Sequence, residues 1–317
     1  MKPYKIAVNM EWSSKCNARC VMCPQHLIEK PQLMKEAVFE RVLQRISPED
    51  VFRVVVAGYG EPTTHPDFMQ HVESIRQHPV RFDMASNAQQ LDEEKIRHLD
   101  GAIDTLLVSF SSIVPEVYRA VHVNLDHQRV MDNIQLAQRL FKKTRLAISL
   151  TPLNECIETL QETIDWFKSS GIHNLTMSPT LYNRGGSMVD QQMATNRLRQ
   201  IIKENGLHSQ ELDFVPAFKD IAQQYFKNDF QCIPRNIDLF ITASGDYLYC
   251  YNDITHKHTF GHVAQLGIRE ALEKRQGMGA IPELCDSCNM RDRYRAKEVA
   301  KVVVNYASRK LIPTVAA

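Results

Sequence analysis

The chain has 317 residues, of which 44% are hydrophobic and 24% charged, a composition typical of folded globular proteins that excludes the disordered and low-complexity classes. Its 38 lysines and arginines against 37 aspartates and glutamates give a net charge of +1. Bulk charge therefore does not favour binding to nucleic acid or to an anionic membrane surface. There is no run of about 18 apolar residues, which predicts that no segment spans a membrane.

The N-terminal segment lacks the features of a secretory signal, because its short mixed run has no small-residue cleavage site. We therefore expect a cytoplasmic protein. In that reducing compartment, eight cysteines indicate metal binding rather than disulfide bonds.

From residue 4 to about 180, short apolar segments alternate with helical patterns. Six strand–helix units predict an α/β fold with a parallel sheet wound as a partial (β/α)6 barrel, whose loops after the strands share the catalytic face. The predicted strands are Lys5–Glu11, Phe52–Ala57, Val80–Ala85, Asp104–Phe110, Thr144–Leu150 and Asn174–Ser178. The predicted helices are Lys35–Ile46, Asp67–Gln77, Asp92–Leu99, His127–Phe141 and Glu155–Ser169.

The pattern changes after residue 186. We predict a barrel domain over residues 1–186, a helical connector over 187–230 and a small C-terminal α+β module over 231–317. In that module, Leu239–Thr242 and Tyr247–Cys250 flank a predicted hairpin turn in which Gly245 takes a positive φ.

The first group of cysteines follows the first predicted strand. Cys16, Cys20 and Cys23 place three thiols within eight residues. A closed zinc site needs four ligands, whereas three cysteines can bind three irons of a cubane cluster and leave the fourth iron open. The alternative is half of a zinc site that a distant Cys or His completes.

The CxxxCxxC loop after strand one of a βα barrel resembles the radical S-adenosylmethionine (SAM) superfamily. The second marker of that family is a Gly-Gly-Glu-Pro loop after strand two, and here Gly58-Tyr59-Gly60-Glu61-Pro62 follows the second strand. Tyr59 departs from the family pattern. The resemblance implies a SAM-binding [4Fe-4S] cluster on the three cysteines, with Gly60 and Glu61 receiving the methionine amino group of SAM. A solvated loop carboxylate is the alternative for Glu61.

Further polar residues lie at predicted strand ends. The resemblance places Ser86 and Asn87 near the ribose or carboxylate of SAM, with Ser109 and Ser111 in a similar role. It also suggests that Arg184 pairs with the methionine carboxylate and that Met22 packs near the adenine. Each residue taken alone fits a turn, a cap or a packing role equally well.

A second group consists of Cys232, Cys250, Cys285 and Cys288, which supply enough thiolates to saturate either zinc or a [4Fe-4S] cluster. Its spacing after the barrel resembles the auxiliary-cluster modules called SPASM and Twitch, in the shortened four-cysteine form. Asp253, just past Cys250, is a candidate base or substrate anchor, or alternatively a hairpin-end carboxylate. Cys156 lies outside both groups and is expected to be a buried apolar thiol.

These features together predict a radical SAM oxidoreductase that abstracts a substrate hydrogen and passes an electron to the auxiliary cluster. We expect a small-molecule or peptide substrate and a reductant such as flavodoxin or ferredoxin. A first strand near residue 4 favours a small molecule, because it leaves no room for a leader-peptide-binding domain. The alternatives are redox-neutral epimerisation, carbon–carbon or thioether bond formation on a peptide, and a zinc-bound structural or interaction protein without catalysis.

Overall fold

The computed structural model of the protein describes residues 5–151, 153–178, 195–209, 232, 237–288 and 300. Within these segments, helices pack on one large mixed sheet with a parallel centre, which is the predicted α/β class. None of the described helices is long and apolar enough to cross a lipid bilayer.

The strands form a large sheet and a separate ribbon. The strands of the described residues are β1 (Ile6–Met10), β2 (Arg19–Cys20), β3 (Val51–Val56), β4 (Arg81–Ser86), β5 (Thr105–Phe110), β6 (His122–Val123), β7 (Arg145–Leu150), β8 (Leu175–Met177), β9 (Asp238–Ile241), β10 (Asp246–Leu248) and β11 (Thr259–His262). The large sheet has the order β11-β10-β9-β1-β3-β4-β5-β7-β8, and β2 pairs only with β6.

The six strands β1, β3, β4, β5, β7 and β8 follow one another in chain order, and every neighbouring pair is parallel. This confirms the predicted partial barrel, and each predicted strand boundary lies within one residue of the observed one. Alternate residues define the two faces: in β5, Leu106, Val108 and Phe110 are fully buried, whereas Thr105 and Ser109 are half-buried on the inner face.

The helices connect the strands and cover the outer face of the sheet. They are α1 (Glu36–Arg45), α2 (Phe68–Arg76), α3 (Glu93–Leu99), α4 (Pro115–Val121), α5 (His127–Leu140), α6 (Leu160–Ser169), α7 (Thr195–Asn205), α8 (Ile268–Gly277) and α9 (Pro282–Cys285). The predicted helix over Glu155–Ser169 begins as a 3-10 helix, Asn154–Thr159, before α6. Neither α4 nor the β2–β6 ribbon was predicted.

The C-terminal hairpin is part of the barrel sheet. β9 pairs parallel with β1, with Met10 opposite Ile241, and β10 returns antiparallel to β9. Gly245 in the turn has a φ of +92°, as predicted. The sequence suggested a hairpin within a module after the barrel, but hydrogen bonding makes it a continuation of the same sheet. Both predicted domain boundaries lie outside the described residues and stay predictions.

The carboxylate of Glu11 joins three segments at the end of β1. It is 1% exposed, and it accepts hydrogen bonds from the backbone N–H of Tyr59 at 2.8 Å and of Ala243 at 3.2 Å. Burial raises its pKa to about 7, against the lowering effect of those two N–H groups. Gly58 leaves the necessary space, because a Cβ there would lie 2.5 Å from the Glu11 side chain.

Glu11 should make the stability of the fold depend on pH. Its pKa in the folded protein lies above the ordinary value of 4.5, so the folded state holds the proton more tightly than the unfolded state. The free energy of unfolding should therefore fall as pH rises from about 4.5 to about 7, by at most about 3 kcal/mol from this group. Glu11→Gln stays uncharged and should lose this part of the pH dependence in urea titrations.

Below about pH 4.5, where Glu11 is protonated in both states, the variant should be the less stable protein, because its amide N–H₂ faces one of the two backbone donors. Glu29→Gln, which alters an exposed carboxylate, is the matched control and should retain the wild-type slope. Equal slopes for Glu11→Gln and the wild type would contradict the assignment.

Candidate functional site

The first cysteine group lies on a loop whose two ends are hydrogen-bonded together. Ser14 N–H donates to the Gln32 carbonyl at 2.9 Å, and Met34 N–H donates to the Trp12 carbonyl at 2.8 Å. Trp12 is buried at 1% exposure and anchors the start of the loop in the core. The intervening segment therefore forms a closed loop at the carboxyl end of β1, where the parallel-sheet fold places functional groups.

The three thiols of this loop lie close enough to influence one another. Partial burial raises the pKa of Cys16 to about 11 and that of Cys20 to about 12, and in both cases the neighbouring Cys23 and Glu61 raise it further. The backbone N–H of Ala18 donates to Cys16 Sγ at 3.4 Å. Three half-buried thiols that disfavour each other's ionisation fit a site in which an iron centre supplies the compensating positive charge.

The ribbon of β2 and β6 fixes the middle cysteine. Cys20 pairs with His122 and Arg19 with Val123, and Val21 N–H donates to the Val121 carbonyl at 3.0 Å. The imidazole Nδ1 of His122 lies 3.3 Å from Cys20 Sγ. Nothing in the local sequence indicated this contact, because His122 is 102 residues away from Cys20.

The loop after β3 packs directly on the backbone of the cysteine loop. A Cβ atom on Gly60 would lie 2.3 Å from the carbonyl oxygen of Ser13 and 2.4 Å from that of Lys15. Glu61 N–H donates to the Lys15 carbonyl at 2.9 Å, and the hydroxyl groups of Ser13 and Thr64 lie 3.0 Å apart. Glycine is therefore required at position 60 by the close approach of two backbones.

Two of the predicted polar residues lie around the carboxylate of Glu61. Glu61 itself is 3% exposed. Its Oε1 accepts from Thr63 N–H at 3.2 Å, Thr63 Oγ1 at 2.7 Å and Ser86 Oγ at 2.8 Å, and its Oε2 accepts from Asn87 N–H at 2.7 Å. Burial raises the pKa of Glu61, and these donors lower it. The Asn87 side chain donates to Asn17 Oδ1 at 2.7 Å, so the loops after β1, β3 and β4 meet here.

The remaining predicted residues of this face are spread more widely. Ser109 is half-buried on the inner face and pairs with Ser149 of β7. Ser111 is fully buried, and its hydroxyl has no hydrogen-bond partner within the part of the chain that the structure describes. Met22 packs against the buried cluster of Val121, Leu153 and Cys156. Arg184 lies outside the described residues.

Cys156 has the environment expected of a structural thiol. It is 1% exposed in an apolar cluster, and burial raises its pKa to about 12.

The second cysteine group surrounds the end of the C-terminal hairpin. Cys250 follows β10, and the nearby Cys232 and Cys288 add to the effect of burial in raising its pKa to about 12. Asn252 connects two of the sulfurs: its backbone N–H donates to Cys250 Sγ at 3.4 Å, and its side-chain amide donates to Cys288 Sγ at 3.3 Å. Cys285 ends α9, and Cys288 N–H donates to its carbonyl at 3.3 Å.

In neither group do three His, Cys, Asp or Glu side chains of the described residues lie close enough to enclose a single metal ion.

Asp253 closes its own turn beside the second group. It is 1% exposed, and its carboxylate accepts from Lys257 N–H at 3.1 Å, His258 N–H at 2.7 Å and the Thr255 hydroxyl at 3.4 Å. These hydrogen bonds are those of a hairpin-end carboxylate, and the roles of base and substrate anchor stay predictions.

Tyr59 connects the two cysteine groups. Its hydroxyl donates to the carbonyl of Tyr251, the residue after Cys250, and its ring lies 5.4 Å from that of Phe240 in β9. Together with Leu248 and Ile254, these rings form a small apolar cluster that also contacts Leu27 and Ile28, the chain just after Cys23. The residue that departs from the glycine-rich pattern is thus the one that packs between the two sites.

The sequence comparisons cover both markers of the first site. The family model described as "Radical SAM superfamily" matches residues 10–167. A "Probable GTP 3',8-cyclase" of Thermococcus kodakarensis is 26% identical over 141 residues, 44% of this chain and 45% of that protein. A "Tungsten-containing aldehyde ferredoxin oxidoreductase cofactor-modifying protein" of Pyrococcus furiosus is 29% identical over 115 residues, 35% and 32% of the two chains. The chain thus matches less than half the length of these relatives.

Solved structures share the fold over most of this chain. SuiB of Streptococcus suis bound to the precursor peptide SuiA has a TM-score of 0.69 at 13% identity. The matched region covers 91% of this chain and 70% of the SuiB chain. The structure of anSMEcpe with bound AdoMet has a TM-score of 0.66 at 14% identity, covering 96% and 94%. BtrN in complex with AdoMet and 2-DOIA has a TM-score of 0.53 at 16% identity, covering 91% and 94%.

Gly60→Ala should lower the free energy of unfolding by about 1–3 kcal/mol or more, because the added methyl group meets backbone carbonyls that cannot move independently. Urea titrations measure this, and limited proteolysis within residues 15–31 should become faster. Gly277→Ala is the matched control, since no atom lies within 4 Å of the added carbon. A Gly60→Ala protein as stable as Gly277→Ala would refute the close packing.

Proposed function

Because this chain belongs to the radical SAM superfamily, we propose that it removes two hydrogens from a small-molecule substrate, with one [4Fe-4S] cluster at each cysteine group. The observation that carries this proposal is the pair of sites: an open three-thiol loop on the barrel face and, across the Tyr59 cluster, a four-thiol group around the hairpin. When bound, the first cluster and SAM supply a 5′-deoxyadenosyl radical that takes a hydrogen atom from the substrate, and the second cluster supplies an acceptor for one electron.

At the first site, Cys16, Cys20 and Cys23 would bind three irons and leave one open for SAM. The loop that carries them is held closed by hydrogen bonds between Ser14 and Gln32. The proximity of these three thiols supports a shared polynuclear centre.

Beside these cysteines, the chain offers polar groups suited to SAM. Oε2 of Glu61 accepts a single hydrogen bond from the described residues, from Asn87 N–H, so it can accept another from the methionine ammonium group. The buried hydroxyl of Ser111 would gain a partner from a polar ligand. We propose that Gly60, Ser86, Asn87 and Ser109 complete this face, with Met22 and Arg184 as further SAM contacts.

At the second site, Cys232, Cys250, Cys285 and Cys288 would ligate all four irons, which leaves none for a substrate. Asn252 would then donate two N–H groups to the sulfurs of this group, a contact that adjusts the reduction potential of an iron–sulfur centre. Such a saturated, hydrogen-bonded site suits outer-sphere electron transfer.

The proposed oxidation balances when a carbon bearing a hydroxyl or amine loses a hydrogen atom, a proton and an electron to become a carbonyl or imine. Asp253 is the candidate for the proton, since it lies three residues after Cys250. A reductant such as flavodoxin or ferredoxin would supply the electron for SAM cleavage.

A peptide substrate is the second candidate. The structure with the highest TM-score among those described above is bound to a precursor peptide, and anSMEcpe has also been solved with a peptide. Bond formation on a peptide or epimerisation would use the same first site. The non-catalytic zinc protein is not retained, because the chain is a radical SAM protein.

The triple variant Cys16→Ala, Cys20→Ala and Cys23→Ala should retain the second cluster and lose half of the iron, since two [4Fe-4S] clusters hold about eight irons per chain. It should make no 5′-deoxyadenosine from SAM with dithionite as reductant. Iron and sulfide analysis of anaerobically purified protein measures the first effect and chromatography the second. Cys156→Ala is the control and should behave like the wild type. Reductive SAM cleavage by the triple variant would disprove the site.

The reaction class is tested by product mass and SAM stoichiometry in deuterated buffer. Oxidation predicts a small-molecule product lighter by two hydrogens, with one SAM consumed per turnover. A product of unchanged chemical composition that carries one solvent deuterium would instead indicate epimerisation, and a cross-linked peptide would indicate bond formation. The epimerisation result would remove the proposed electron acceptor role of the second group, because that reaction is redox-neutral. A cross-link formed with loss of two hydrogens would instead overturn the small-molecule dehydrogenation while still requiring an electron acceptor.

A further inference from the structure

One cysteine of the first group is contacted by a side chain that is distant in the sequence. Cys20 lies on β2, directly opposite His122 of β6. His122 Nδ1 lies 3.3 Å from Cys20 Sγ, within the range of a hydrogen bond to sulfur. His122 follows directly after α4, the helix that begins four residues after Ser111, so the segment after β5 reaches the cysteine loop through this contact.

The surroundings of His122 determine which atom donates. The residue is 1% exposed, and its ring lies 4.7 Å from that of Tyr118. A cysteine that ligates iron is a thiolate without a proton, so the hydrogen in the Nδ1–Sγ contact must come from histidine. Nε2 has no hydrogen-bond partner within the described segments that would claim the proton instead.

We propose that His122 is a positioning residue that donates its Nδ1–H to Cys20 Sγ and raises the reduction potential of the cluster at the first cysteine group. The proposal rests on the proposed function for the presence of that cluster. A hydrogen bond to a ligating sulfur withdraws negative charge from it and so favours the reduced, more negative state. The bond should therefore make the cluster easier to reduce.

The contact differs in kind from the N–H···S bond to Cys16 in the same loop. The donor to Cys16 is the backbone of Ala18, two residues away, and any residue other than proline would supply it. The donor to Cys20 is a side chain on a different element, so it can be removed by substitution without changing the cysteine loop. The effect of this hydrogen bond on the cluster can therefore be measured separately from any effect on the fold.

Three variants of the full chain test the proposal. His122→Phe keeps an aromatic ring beside Tyr118 and removes the donor. His122→Asn keeps an amide N–H at a position comparable to Nδ1. Val123→Ala changes the neighbouring residue of the ribbon, which is 37% exposed, and serves as the control. Each protein is purified anaerobically, and its iron and sulfide are counted before and after reconstitution.

The readout is the midpoint potential from a redox titration followed by electron paramagnetic resonance, using the cluster signal that changes when SAM is added. We expect a shift to lower potential in His122→Phe, recovery of most of that shift in His122→Asn, and the wild-type value in Val123→Ala. The wild-type potential in an iron-replete His122→Phe protein overturns the inference, as does an equal shift in the Asn and Phe variants.

If His122→Phe does not retain the cluster, the Asn variant decides. Full iron content in His122→Asn supports the donor role, and loss of iron there overturns it. A wild-type protein without any SAM-responsive signal would refute the proposed function itself, which distinguishes that failure from a failure of the His122 contact alone.

Discussion

The contact between the loop after β3 and the backbone after β1 fixes the geometry of the first site. At Gly60, the two backbone segments are so close that only a hydrogen atom fits between them. Since parallel strands deliver their loops to one edge without fixing the distances between them, a close backbone contact is an effective way to set those distances. The Glu61 N–H bond to Lys15 completes the contact, and Ser86 and Asn87 then take their positions from the Glu61 carboxylate.

Two buried carboxylates accept hydrogen bonds from neighbouring loops on the two sides of this contact. Glu11 binds backbone N–H groups from the loop after β3 and from the C-terminal hairpin, whereas Glu61 binds groups from the loops after β3 and β4. Burying a carboxylate is costly unless donors satisfy it. Each of the two acids lies where separate segments supply hydrogen-bond donors. Each of these segments is ordered by a carboxylate that comes from another segment.

The barrel could be predicted from the sequence because each of its six strands is a short segment rich in apolar residues, and helical patterns separate these segments. The pairing of β9 with β1 could not, because a hairpin with the same pattern fits either a separate module or an added edge of the sheet. The ribbon of β2 and β6 has two residues per strand, too few for any periodicity. Cys20 was therefore identified as a candidate ligand, while its contact with His122 was missed.

The place of β1 in the sheet has a consequence for the order in which the protein folds. β1 lies between β3, which begins 41 residues after the end of β1, and β9, which begins 228 residues after it. A nascent chain can therefore complete the helical side of the barrel while one edge of its first strand still exposes unpaired N–H and C=O groups. Loop closure over such a separation is slow, so the edge that ends at Glu11 stays open to mispairing until the hairpin has been synthesised. The first cysteine of the loop, Cys16, lies five residues after Glu11. The first site should therefore reach its final rigidity only after the residues of the second site have been synthesised.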